Sequence, residues 1–241
     1  MGEALAAALA ADMASRAAMA GIEGSQWTLP KLSGLRVRRA GLPDSWTANG
    51  NLLLASPDAE RITPTPWFEG LSTSNSVIVL GTLARLRHAT LTGDGALIVL
   101  GDDTNLHDGV LNAIDCSTIL IGEKTSATSK AHLDARNGGV LLVGADAMWA
   151  DSVRIMTDDM HAIRDLQTGE RLNRFGGRIV IEPHVWLGEH VQVLGGSHIG
   201  ADSVVGIGSL VKGTLPGNCI CVGRPARPVR RGVTWSREDV A

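Results

Sequence analysis

The chain has 241 residues, 44% of them hydrophobic, and a net charge of −3, which is enough to bury one substantial core with appendages. So small a net charge points away from nucleic acid or an anionic membrane surface as a general partner. Three cysteines, Cys116, Cys219 and Cys221, fit neither a metal-binding spacing nor a disulfide framework, and an odd, sparse count favours a reducing compartment, the cytoplasm.

The opening stretch MGEALAAALAADMASRAAMAG is alanine-rich, which favours a helix that Gly21 would end. Glu3, Asp12 and Arg16 interrupt it, so it has neither the basic start of a signal peptide nor the uncharged length of a membrane span. The expectation is a helix capping the open end of a stack of strands. From Trp27 to Glu69 the chain is less periodic and carries Pro30, Pro43, Pro57, Pro64 and Pro66. The strand-like LRVRRA and NLLLAS within it predict an irregular β region leading into a first coil. Short apolar runs ending in glycine then recur: VIVLG, LIVLG, TILIG and VLLVG, their glycines separated by 20, 21 and 22 residues.

After VRIM (153–156) comes a polar, turn-rich stretch over 157–178, too long for a tight corner and too polar for an interior. It must project, and projecting loops on rigid scaffolds are where function tends to reside. From Ile181 the chain reads in sixes: IEPHVW LGEHVQ VLGGSH IGADSV VGIGSL VKGTLP. Ile181, Leu187, Val193, Ile199, Val205 and Val211 hold one slot, and a small or aliphatic residue follows four positions later. Neither a helix nor an ordinary strand has this period; a parallel β-helix does, each six forming one side of a prism. The expected fold is therefore all-β, a hexapeptide-repeat prism over 70–222. A helix and irregular β cap occupy 1–69, and 223–241 forms a basic tail.

Hexapeptide blocks followed by VGRPARPVRR resemble the C-terminal half of hexapeptide-repeat acyltransferases, whose prisms are left-handed. TDDMHAI (157–163) together with PHVWLG (183–188) is similar to a narrower group, the O-acetyltransferases of bacterial capsules, exopolysaccharides and lipopolysaccharides. The match runs from about Gly138 to Gly232. It implies a homotrimer with acetyl-CoA lying between adjacent prisms and a saccharide as acceptor, with no metal. His161 falls at the catalytic position and Trp186 beside the thioester, and the CoA groove is expected around Ile207, Lys212 and Arg227. Lys212 comes one position earlier than in the maltose-acetyltransferase-like branch.

The chemistry fits those residue types. An alcohol is too weak an acid to ionise alone, so a base must take its proton, and an imidazole with a pKa of about 6.5 suits neutral pH. Asp159 and Asp165 lie near enough in sequence to fix the His161 tautomer. Backbone amides are expected to meet the oxyanion, with transfer direct from donor to acceptor. Lys212, Arg224, Arg227, Arg230 and Arg231 make the C-terminal end cationic, which suits CoA phosphates. Trp149, Trp67 and Trp235 are candidates to stack on a sugar, Trp149 foremost. His184 could line the cleft, whereas His190 and His198 read as surface residues, and His88, His107 and His132 fall in earlier coils. Other readings are an acetyltransferase for a small molecule, a non-catalytic assembly module, or a metalloenzyme like the γ-class carbonic anhydrases. The last is disfavoured because His184 and His190, one full repeat apart, would project from different faces.

Overall fold

The computed structural model describes residues 3–19, 32, 34–62, 67–69, 73–173 and 175–238. Short parallel strands stack into a three-sided prism. The first face runs from Leu52–Ala55 through Val77–Leu80, Leu97–Leu100, Thr118–Ile121, Val140–Val143, Arg178–Ile181 and Ser197–Ile199 to Thr214–Leu215. A second sheet bends round a corner within the long strands Arg85–Asp94 and Asn105–Ile114 and so supplies the other two faces. Met148–Trp149, Trp186–Leu187, Val204–Val205 and Cys219–Gly223 lie on the second face. His132–Ala135, Arg154–Met156, Gln192–Leu194 and Leu210–Val211 lie on the third. Each coil visits the faces in that order, the arrangement of a left-handed parallel β-helix.

The hexapeptide slot points inward, as its period requires. Ile181, Leu187, Val193, Ile199, Val205 and Val211 are all fully buried in one continuous core. The small positions beside them serve the corners. Buried Ser203 donates to Pro216 O and accepts from Cys219 N (3.0 and 3.3 Å), and Ser209 accepts from Gly223 N (3.1 Å), pairing backbone groups that the corners strand. The glycines that end the apolar runs are there for space. A Cβ on Gly101 or Gly122 would meet the backbone nitrogen of Glu123 or Ala145 in the next coil at 2.6 or 2.5 Å.

The ends are built differently from expectation. Helix α1 (Glu3–Met19) lies along the outer side of the first face and does not close an end. Its Leu9 and Met13 pack on the outward-facing Leu54, Val79, Val99, Leu120 and Leu142. Arg16 ties it to Gly95 O and Thr118 Oγ1, both at 3.1 Å. The end is plugged instead by Trp46 of the short helix α2 (Asp44–Ala48), 1% exposed and part of the main core. Leu52–Ala55 already pairs in parallel with Val77–Leu80, so stacking begins before residue 70. At the far end Ala226–Arg231 folds back antiparallel on Cys219–Gly223 and covers the last coil, so the basic tail begins as a strand.

Candidate active site

The projecting segment leaves the third face after Met156 and rejoins the first at Arg178. Its root is Thr157, 3% exposed, whose side-chain oxygen accepts from Arg136 N (3.1 Å) and donates to Asp158 Oδ2 (3.0 Å). Gly177 and Gly195 press on the Thr157 carbonyl so closely that a Cβ on either would occupy the same space. Beyond the root the chain makes a small hairpin. Leu172 N donates to Ile163 O and Asp165 N to Glu170 O (2.7 and 2.9 Å), and Arg164 and Arg171 form an antiparallel bridge. The Arg171 guanidinium sits 3.5 Å above the Phe175 ring.

His161 is exposed on this hairpin, and its imidazole makes no hydrogen bond among the described residues. Its backbone, in contrast, is held fast. His161 N donates to Asp159 O (2.8 Å), and Asn173 Nδ2 donates both to His161 O (2.7 Å) and to Asp159 Oδ2 (3.2 Å). Asn173 Oδ1 in turn accepts from Ile163 N at 2.8 Å. The two carboxylates expected to fix the His161 tautomer are engaged elsewhere. Asp159 takes Asn173, and Asp165 caps the hairpin turn, where the Thr168 and Gln167 amides hold its carboxyl below the usual carboxylate range. Asn173, which sequence reasoning passed over, is the residue that orders the loop.

Beneath the loop lies a cavity of about 380 Å³ lined by Asp158, Asp159, Asn173, Arg178 and Lys212. Lys212 donates to Gly195 O at 2.6 Å, and Asp158 Oδ1 is buried with no partner among the described residues. Asp159 and Lys212 thus meet at the corner between the third and first faces, while His161, on the loop, is not among the residues lining the cavity. The remaining expected residues gather elsewhere. Trp186, 38% exposed, stands on the second face; Ile207, 70% exposed, caps the corner between second and third. Arg227 lies opposite Val222 on the returning strand and turns back to its own neighbour, Ala226 O, at 2.8 Å. The expected residues of one chain therefore fall into two groups on different sides of the prism.

Other expected residues have plainer places. Trp149 is 1% exposed inside the core, so its ring fills the prism and is closed to a sugar. The side chains of Trp67 and His107 lie outside the described residues. His198 pairs with Glu182 (2.7 Å) and exposed His190 with Glu189 (3.2 Å). His132 Nε2 accepts from Asn112 Nδ2 at 3.0 Å, and burial together with Arg154 and Arg136 holds its pKa below the ordinary value. His184 sits at the corner between first and second faces, bonded to Asp146 and to the carbonyl of Trp235. The cysteines are free, Cys219 and Cys221 buried and Cys116 exposed.

Among known proteins, the polysialic acid O-acetyltransferase of Escherichia coli O1:K1 is 27% identical over 133 residues, 55% of this chain and 43% of that one. The polysialic acid O-acetyltransferase of Neisseria meningitidis is 29% identical over 127 residues, 51% of this chain and 57% of that one. The crystal structure of the polySia-specific acetyltransferase NeuO superposes with a TM-score of 0.65 at 26% identity, covering 70% of this chain and 78% of its own. Relatives of this chain thus include polysialic acid O-acetyltransferases, and a galactoside O-acetyltransferase of Lactococcus lactis is 36% identical over 91 residues, 38% of this chain and 43% of that one. No family model matches the chain. The chain spans about half the length of the curated O-acetyltransferases it matches, 43% and 57% of them. No helix among the described residues is long and apolar enough to cross a membrane.

Proposed function

We propose that the chain transfers the acetyl group of acetyl-CoA to a hydroxyl of a saccharide, within a capsule, exopolysaccharide, lipopolysaccharide or similar glycan. The observation that carries this reading is the exposed imidazole of His161, unbonded among the described residues and held by its backbone on an ordered loop, in a chain whose relatives include polysialic acid O-acetyltransferases. Among described residues its ring nitrogens are free for a substrate.

In this reading the His161 ring takes the proton of the acceptor hydroxyl as that oxygen attacks the thioester carbonyl. Backbone amides meet the oxyanion. The carbon–sulfur bond then breaks, and the imidazolium returns its proton to the departing thiolate, so acetyl ester and free CoA are the products. The donor's acyl arm has an apolar wall in Trp186 and Ile207, and Arg227 offers a charge for its phosphates. Asp158, Asp159 and Asn173 offer hydrogen bonds to sugar hydroxyls in the cavity beneath the loop.

A homotrimer completes the site. His161 and Trp186 lie on opposite sides of one prism, and a cyclic, heterologous interface joins unlike patches of neighbouring copies. Met148, Trp186, Val204 and Ile220 also form a column along the outer second face, and it has the apolar character of an interface. The free cysteines agree with a cytoplasmic setting.

The test is thiol release from acetyl-CoA with a panel of saccharides, wild type against His161→Ala, with acetyl-CoA affinity measured by calorimetry. The expected result is a fall in kcat of about 10²- to 10⁴-fold with affinity unchanged. Full turnover in the variant removes His161 as base. No binding of acetyl-CoA by the wild type removes the reading altogether, and a ping-pong kinetic pattern removes direct transfer.

A further inference from the structure

Residues 233–238 run back along the corner between the first and second faces and touch one coil after another. Val233 N donates to Asn218 O (3.1 Å) and Thr234 Oγ1 to Asp202 Oδ1 (3.2 Å). Trp235 Nε1 donates to His184 O (2.8 Å). Arg237 reaches Asp146 Oδ1 (2.8 Å), Ser126 Oγ (3.0 Å), Lys124 O and Ala147 O (both 3.2 Å). Asn218, Asp202, His184, Asp146 and Lys124 are the equivalent left-handed corner residues of successive coils. The chain here is a strap laid across the stack.

Its centre is His184. Nδ1 is 2.8 Å from Asp146 Oδ2 and Nε2 is 2.9 Å from Trp235 O. A carboxylate and a carbonyl can only accept, so both ring nitrogens must donate, and the ring that fits is the imidazolium. It lies flat on the Trp235 indole, 4.1 Å between centroids and 5° between planes. The charged groups facing it are Asp146 on its own side, Asp202 from the next coil, and Arg237 on the strap, which shares Asp146. Burial opposes the charge, but the Trp235 carbonyl and the Asp146 carboxylate outweigh it and raise the His184 pKa above its ordinary value. Trp235, 8% exposed, also stands 6.2 Å from Trp186 with its ring tilted by 55°. The strap therefore wedges one indole between His184 and Trp186.

We propose that the strap is a proton-dependent clamp that positions Trp186, with His184, Asp146 and Trp235 as positioning residues and Arg237 as its outer fastening. The catalytic consequence rests on the acetyltransferase reading above; the clamp itself does not. The sign follows from linkage. A histidine whose folded-state value is raised contributes stability that is fully present below about pH 6.5 and is lost as pH rises through the raised value. Alkaline pH therefore loosens the strap and frees Trp186 to move.

The test uses the full chain as wild type, His184→Asn, which tolerates the left-handed corner, and Arg237→Gln, which leaves every coil residue in place. Hydrogen exchange of the strap, corrected for intrinsic rate, is followed at about pH 6 and about pH 8.5 alongside the KM for acetyl-CoA. In the wild type, strap exchange is expected to quicken at least about tenfold between those pH values, with KM rising about fivefold and kcat nearly constant. His184→Asn is expected to show the fast exchange and high KM at both pH values, and Arg237→Gln to show them in part. A strap equally protected at both pH values in wild type and His184→Asn overturns the clamp. A wild type that releases no thiol removes the acetyltransferase reading instead, and the exchange arm then decides the clamp alone.

Discussion

At the corners of the prism the backbone is left-handed at residues that are not glycine: Asp146, Ser152, His184, His190 and Asp202 have φ of 57 or 58°. That conformation costs an L-residue about 1–2 kcal/mol, least for Asn, Asp and His, whose short polar side chains suit it. What the side chain returns is a bond to its surroundings, as at Asp146 and His184. His190 shows the backbone effect most cleanly, since its side chain is exposed and pairs with the likewise exposed Glu189 at 3.2 Å. His190→Asn is expected to keep the unfolding free energy from urea titration within about 0.5 kcal/mol of wild type, whereas His190→Val loses about 1–2 kcal/mol. Equal midpoints for the two variants would show that the corner relaxes without cost. This also explains what the sequence could not reveal about its histidines. Gly and Asp at hexapeptide turns are readable as corner residues, but a histidine there looks like a ligand or a surface residue. Only the fold shows that His184 shares its corner with Asp146 and the returning Trp235.

Among the elements, the loop over 157–177 depends on one side chain, Asn173, for three of its internal bonds. Asn173→Ala is expected to lower kcat about tenfold or more by letting His161 wander, since misplacement by about 1 Å can cost that much. The thermal midpoint should hardly move, because the loop lies outside the core. A variant with unchanged kcat would mean that the loop is positioned by something other than Asn173. The loop itself was legible, because polarity and length forced it out of the prism, but Asn173 was not. Its partners Asp159, His161 and Ile163 are ten or more residues away, and only the hairpin brings them together. The stack was legible for a simple reason: slot residues repeat every six positions and all are buried. The alanine-rich composition alone points α1 to an end of the stack, yet the strands carry a signal for its true position. VIVL, LIVL, TILI and VLLV are apolar at every or nearly every position, the pattern of strands covered on both sides. Their outward residues Val79, Val99, Leu120 and Leu142 are the ones that α1 covers, while the later SHI and TL no longer offer such a surface. The alanine-rich helix has a poorly marked apolar face of its own, so the partner strands carried the information.

At the scale of the whole molecule, the separation of His161 from Trp186 by the prism turns the catalytic proposal into a statement about assembly. The loop that bears His161 springs from the corner between third and first faces, and Trp186 stands on the second, the side opposite that corner. A single chain cannot close this gap without unwinding a core whose slot residues are fully buried. A neighbouring copy can, if its second face meets this copy's loop. His161→Ala and Trp186→Ala are then defects in different halves of a shared site. Each variant alone should be inactive. When the two are unfolded together in equal amounts and refolded, an interface works only where the His161 comes from one variant and the Trp186 from the other. Random assortment in a cyclic trimer makes that about one interface in four, so the mixture should recover about a quarter of wild-type thiol release. If both residues serve the same site from one chain, every chain in the mixture lacks one of them, and refolding together recovers nothing. The same preparation run on a sizing column reports the assembly independently of activity. A trimer with no recovery would leave His161 or Trp186 outside the shared site, and a monomer that turns over would dispense with the interface.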